Sequence, residues 1–201
     1  MEKIDYRKIF KEFYNPPKKP VIVDIPEFNF IMIDGKGDPN VSQEYQDALQ
    51  TLYGLSYTLK FSLKKAGRVD YKVMPLEGLW WVEGDDDFFK HEKDNWSWTS
   101  MIMQPEPITA TDVAEAKIQL REKKNPPALS KIRFESFKEN LAVQIMYIGP
   151  YADEQPTIER MHAFAEEEGY SLRDRHHEIY IGDPRRTTPE KLRTVIRQPI
   201  E

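Results

Sequence analysis

The strongest chemical candidate in this chain is a carboxylate set in an apolar strand. In His177-Glu178-Ile179-Tyr180-Ile181, strand alternation puts Ile179 and Ile181 on one side and Glu178 with Tyr180 on the other, so an acid and a phenol share a face. Enclosed by aromatic rings, that carboxylate would lose hydration, which raises its pKa unless a cation or hydrogen-bond donors compensate. Such a group can anchor a lipophilic cation or accept a proton from water as a general base. On an open strand face the same glutamate would simply be solvated. Rings are available: the only four tryptophans, Trp80, Trp81, Trp96 and Trp98, fall in two neighbouring strand-like runs. Singly each reads as core filling; as a group they read as a stacking surface for a flat ligand.

Other constellations are weaker. His176 and His177 are consecutive in a strand and point to opposite faces, so they cannot chelate one ion together. Glu159 and His162 have the Glu-x-x-His spacing of carboxylate metal sites but lack the second copy such sites need. Neither a glycine-rich phosphate loop nor a Gly-x-Ser-x-Gly elbow occurs. With no cysteine, disulfides, thiolate ligands and a cysteine nucleophile are excluded. The expectation is no metal and no cofactor.

The elements that must position Glu178 form two similar series. Residues 1–20 read as a short helical appendage, with Ile4, Ile9, Phe10 and Phe13 apolar, ended by Pro16-Pro17-Lys18-Lys19-Pro20. Residues 21–201 read as the domain. Its first repeat, about 27–105, has a strand at Glu27 to Asp34 and a helix capped by Ser42 whose apolar stripe, Tyr45, Leu49, Leu52, Ser56, Leu59 and Leu63, ends near Gly67. Two strands follow, Tyr71 to Glu83 and Trp96 to Gln104, joined by the acidic Gly84-Asp85-Asp86-Asp87, which suits a solvent-facing connection. A linking helix at about 109–124 starts beside Asp112 and stops at Asn125-Pro126-Pro127. The second repeat, about 130–201, offers a strand at Leu141 to Ile148, a helix from Pro156 to Glu168, and strands at Arg175 to Ile181 and Thr194 to Pro199. The fold class is α+β: duplicated βαββ units related by a pseudo-twofold, with a ligand groove at the seam where strands of both halves meet.

A net charge of −5 argues against a nucleic-acid footprint, because the C-terminal arginines are interleaved with Asp174, Glu178, Asp183 and Glu190. The N-terminus carries charges where a secretory signal needs an apolar core, and no run approaches the ~20 apolar residues of a membrane helix. The reading is a soluble cytoplasmic protein whose partner is an aromatic or cationic small molecule, with no direct nucleic acid, no membrane, and oligomeric state left open.

Three stretches carry a resemblance: Met146-Tyr147-Ile148-Gly149-Pro150-Tyr151; His177-Glu178-Ile179-Tyr180-Ile181-Gly182-Asp183-Pro184-Arg185-Arg186; and Leu192 to Ile200. They resemble GyrI-like proteins. Pro75-Leu76-Glu77-Gly78-Leu79-Trp80-Trp81 and Met101-Ile102-Met103-Gln104-Pro105 are similar to the stand-alone branch of that family, and the likeness spans most of residues 21–201. It implies two βαββ repeats, shared with effector-binding domains of multidrug-responsive activators, and a pocket whose base is the glutamate of a Glu-x-Tyr strand, here Glu178. Lacking the activators' DNA-binding domain, the chain is expected to bind amphipathic or aromatic molecules. Because some stand-alone members of the family hydrolyse cyclopropane-bearing DNA-alkylating toxins, the resemblance implies a cyclopropanoid cyclopropyl hydrolase as one reading. Sequestration or sensing without catalysis, and inhibition of a protein partner, are the alternatives. In ring-opening hydrolysis Glu178 would orient water, Tyr147 would hold that carboxylate or polarise the substrate carbonyl, and Trp81 and Trp98 would stack. Glu77, Tyr180, Trp80 and Met103 complete the expected ligand-binding set.

Overall fold

A computed structural model describes residues 2–84 and 88–201. Two short strands, β1 (Lys3–Ile4) and β3 (Asp70–Tyr71), pair parallel, and one-turn helices α1 (Tyr6–Ile9) and α2 (Lys11–Tyr14) follow β1. The remaining strands are β2 (Val21–Lys36), β4 (Leu76–Trp81), β5 (Ser97–Gln104), β6 (Arg133–Ile148), β7 (His176–Tyr180) and β8 (Arg193–Pro199). They close into a barrel in the order β2-β5-β4-β7-β8-β6. Helices α3 (Gln43–Lys65), α4 (Ala110–Lys123) and α5 (Gln155–Glu167) complete the chain.

The halves β2-α3-β4-β5 and β6-α5-β7-β8 both place their third strand between the first two, and antiparallel pairs β4–β7 and β2–β6 join them. The second half therefore covers the first by completing its barrel. Six strands enclose too little space for a helix, so the face against which α3 and α5 pack is the outer one. Pairing fixes which side chains lie there, because directly opposed residues point to the same side. Ser100, Gly78, Glu178, Ile196 and Ile145 form one outward row, and Trp98, Trp80 and His176 the next.

Local sequence explains the helices. Ser42 Oγ accepts the Tyr45 amide at 3.2 Å and starts α3, which buries Tyr45, Ala48, Leu52, Leu55, Leu59 and Leu63 along one stripe. Thr109 and Asp112 cap α4 reciprocally. Pro156 sits in the first turn of α5, whose Ile158, Met161 and Ala165 pack on Val143, Ile145, Tyr147 and Ile196. Asp85, Asp86 and Asp87, expected in a solvent-facing connection, lie outside the described residues. The segment read as an appendage is stitched to the barrel: Phe13 and Tyr14 are buried, the Phe13 carbonyl accepts from Arg197 at 2.9 Å, and Pro17 accepts the Met146 amide at 2.9 Å.

Candidate functional site

Glu178 lies on the outer face where β4 meets β7, between the territories of α3 and α5. Its cross-strand neighbour is Gly78, and only 7% of Glu178 is exposed. The Tyr180 hydroxyl donates to Oε2 at 2.8 Å, and His176 Nε2 lies 3.2 Å from Oε1. Rings crowd around this carboxylate. The Trp80 indole donates to the Tyr180 oxygen at 3.1 Å, Tyr151 meets Tyr180 edge-on at 5.6 Å, and Tyr45 from α3 lies 5.9 Å from Trp80. Phe89 packs edge-on against His176 at 5.3 Å and Trp96 against Trp80 at 5.8 Å. A cavity of about 230 Å³ lined by Trp80, Trp81, Val82, Gly84, Asp174, Arg175 and His176 opens beside this group.

Burial pushes the Glu178 carboxyl up, but hydrogen bonding and charge from His176, then the Tyr180 hydroxyl, outweigh it and hold the group below the ordinary carboxylate range. A second acid, Glu154, sits at the start of α5 within hydrogen-bonding reach of Glu178. Its own burial, and then the charge of Glu178, drive its carboxyl far upward, so Glu154 is the protonated partner of an ionised Glu178. The site thus presents one negative charge and one neutral acid beneath aromatic rings.

Three of the expected site placements differ in the structure. Tyr147 was expected to hold the Glu178 carboxylate, but its hydroxyl donates to the Pro150 carbonyl at 2.8 Å, and Thr194 of β8 stands between it and Tyr180 in the register. Tyr180 makes the contact instead. Trp81 and Trp98 were expected to stack one ligand together. Trp98 is the cross-strand partner of Trp80 and so faces outward, where Tyr45 meets it edge-on at 5.0 Å, whereas Trp81, one residue on, turns to the opposite face. There the Arg175 guanidinium lies 3.6 Å over its ring. Glu77 and Met103 also point inward, and neither is more than 2% exposed.

Glu77 belongs instead to a buried ionic chain. It accepts the Tyr14 hydroxyl at 2.8 Å and meets His177 Nε2 at 3.0 Å; His177 Nδ1 meets Glu139 at 2.9 Å, and Glu139 takes Arg197 at 2.9 Å. Burial would lower the His177 pKa, but Glu139 and Glu77 raise it to about 9. Burial likewise raises Glu139, and His177 with Arg197 lowers it to about 2. Two carboxylates and two cations balance inside the barrel, and this set supports the walls of the seam without reaching it. The consecutive histidines thus serve different groups on opposite faces.

A duplicated βαββ barrel with a ring-enclosed carboxylate at its seam defines a small-molecule-binding domain of the α+β class. The chain belongs to the GyrI-like small molecule binding domain family, whose model matches residues 18–201. An uncharacterized conserved protein from Listeria innocua is 42% identical over 99% of this chain and 100% of its own, with a TM-score of 0.92. A hydrolase encoded by lin2189 of Listeria innocua is 41% identical over 100% of both chains, with a TM-score of 0.90. The EcmrR C-terminal domain shares the fold at 13% identity and a TM-score of 0.55, over 91% of this chain and 97% of its own. No curated protein sequence matches significantly. Among the described residues no helix is long and apolar enough to cross a membrane.

Proposed function

We propose that the seam binds a flat, electrophilic aromatic molecule and hydrolyses it, with a cyclopropane-bearing DNA-alkylating compound as the substrate class. The observation that carries this reading is Glu178, an ionised carboxylate 7% exposed, fixed by two donors and ringed by Tyr45, Trp80, Tyr151 and Tyr180. The hydrolase of Listeria innocua that matches over the whole chain supports it. A carboxylate locked by Tyr180 and His176 is oriented to take a proton from an attacking water, and the rings exclude bulk solvent and stack on the ligand. Binding without turnover is the second reading, favoured by the same negative charge, which suits a lipophilic cation.

Glu178→Gln separates the two. Incubation with a cyclopropylpyrroloindole followed by mass spectrometry should give the hydrated, ring-opened product with the unaltered protein, and at least ~100-fold less with the variant, the usual scale of a lost general base. Tryptophan quenching by the intact neutral compound should persist in the variant. Product formation no faster than in buffer would sink hydrolysis, and a loss of cation affinity alone would leave sequestration.

A further inference from the structure

Activation of water by Glu178 leaves a second buried acid of the seam, Glu154, without a part. It is 7% exposed, and among the described residues its Oε2 has no hydrogen-bond partner. Its place is fixed from two directions. Tyr151, three residues earlier in the same turn, packs on Tyr180, which itself holds Glu178. Ile158, one helical turn later, packs in the cluster containing Ile196, the residue opposite Glu178. Glu154 faces Glu178 and Tyr180 from β7, Tyr147 from β6, Tyr151 of its own turn, and Lys93 from the β4–β5 connection, with His176 on the far side of Glu178. Among the described residues Lys93 is the cation acting directly on Glu154, and it acts more weakly than burial and the Glu178 charge.

We propose that Glu154 is the proton donor of the seam: it and Glu178 hold one proton between two carboxyl groups, and Glu154 delivers that proton to substrate as Glu178 activates water. Two carboxyls so close in an enclosed site cannot both ionise, because like charges there repel strongly. The His176 and Tyr180 contacts bias the charge to Glu178, which leaves the proton on Glu154 with one oxygen unpartnered. Ring opening of a conjugated cyclopropane needs an acid and a base together. The water oxygen bonds to the ring methylene as its proton passes to Glu178. The methylene–carbon bond breaks, and its electron pair moves through the conjugated system to the carbonyl oxygen, which takes the Glu154 proton and becomes a phenol. Transfer of the proton from Glu178 to Glu154 restores the pair, and the net change is addition of one water. The delivery step rests on the hydrolase reading; the shared proton does not.

Infrared spectroscopy of the full chain at pH 7, in H₂O and D₂O, reads the shared proton directly. A neutral carboxylic acid band is expected in the unaltered protein and should vanish in Glu154→Gln; its absence from the unaltered protein overturns the proposal whether or not that variant folds. Turnover of the cyclopropylpyrroloindole reads delivery. Glu154→Gln should lower it at least ~100-fold while tryptophan quenching by the same compound changes less than threefold. Turnover by that variant within threefold of the unaltered protein overturns the donor role. If the unaltered protein itself turns nothing over, the hydrolase reading and the delivery step fail together, and the band still decides whether the proton is shared.

Discussion

At the residue scale, the site depends on where side chains are missing. Gly78 stands opposite Glu178, and a Cβ built there would lie 2.8 Å from the Trp80 indole nitrogen. Trp98 makes the same use of Gly35 on the neighbouring strand, where a Cβ would lie 2.2 Å from its ring. Bare backbone lets each indole lie flat against the barrel, and Trp80 so placed donates to Tyr180, which donates to Glu178. Gly78→Ala should therefore push Trp80 off that position at a cost of about 1–3 kcal/mol, the usual range for overpacking. A lower urea midpoint, a shifted tryptophan emission maximum and weaker ligand quenching are expected together. Unchanged quenching would show that the Trp80–Tyr180 contact does not shape the site. The sharing of a face by Glu178 and Tyr180 was legible from alternation alone. The opposite facing of Trp81 and Trp98 was not, because it depends on the register of β4 against β5, and the connection between them does not reveal that register. Glu154 was invisible for a related reason: its helix start was marked by Pro156, but its approach to Glu178 arises only when α5 docks.

At the scale of elements, both helices of the repeats, and the alternation of the strands, could be read from periodicity, caps and prolines. The N-terminal segment could not, because its apolar residues are equally consistent with an independent helix, whereas Phe10 and Phe13 pack edge-on against Phe28 of β2 and its carbonyls and one phenol bond the barrel. Residues 12–17 lie against the barrel: the Glu12 carbonyl accepts Gln144 at 2.7 Å, that of Phe13 accepts Arg197, and Tyr14 donates to Glu77. The charges within apolar strands, Glu77 in β4 and Arg197 in β8, were the available signal that the interior needed partners. Tyr14→Phe removes one donor from a carboxylate that is 1% exposed. Leaving a buried acceptor short of a bond costs about 1–3 kcal/mol. The variant should lose that much stability in urea while ligand quenching at the outer face stays within twofold. An equal loss of affinity would mean that this segment and the seam are coupled through β4.

For the whole molecule, the interior ionic chain sets how stability responds to pH. The folded pKa of His177 is about 9 against an ordinary 6.5, so its contribution is complete below pH 6.5 and disappears as pH rises through 9. Glu139 works in the other sense: its folded pKa is about 2 against 4.5, so its contribution is present above pH 4.5 and disappears as pH falls through 2. Glu154 adds to the alkaline decline, because a carboxyl raised by burial costs more stability the further pH exceeds 4.5. The urea midpoint should therefore peak between pH 4.5 and 6.5 and fall on both sides, with a slope of about 1.4 kcal/mol per pH unit for each proton that differs between the folded and unfolded chain. His177→Gln should remove one proton's share of the slope between pH 6.5 and 9 and leave the share of Glu154, and the unaltered protein should release one proton from each of the two groups on unfolding across that same interval. A stability maximum above pH 8 would contradict the charge assignment inside the barrel, because it would require His177 to be neutral between the two carboxylates that it joins.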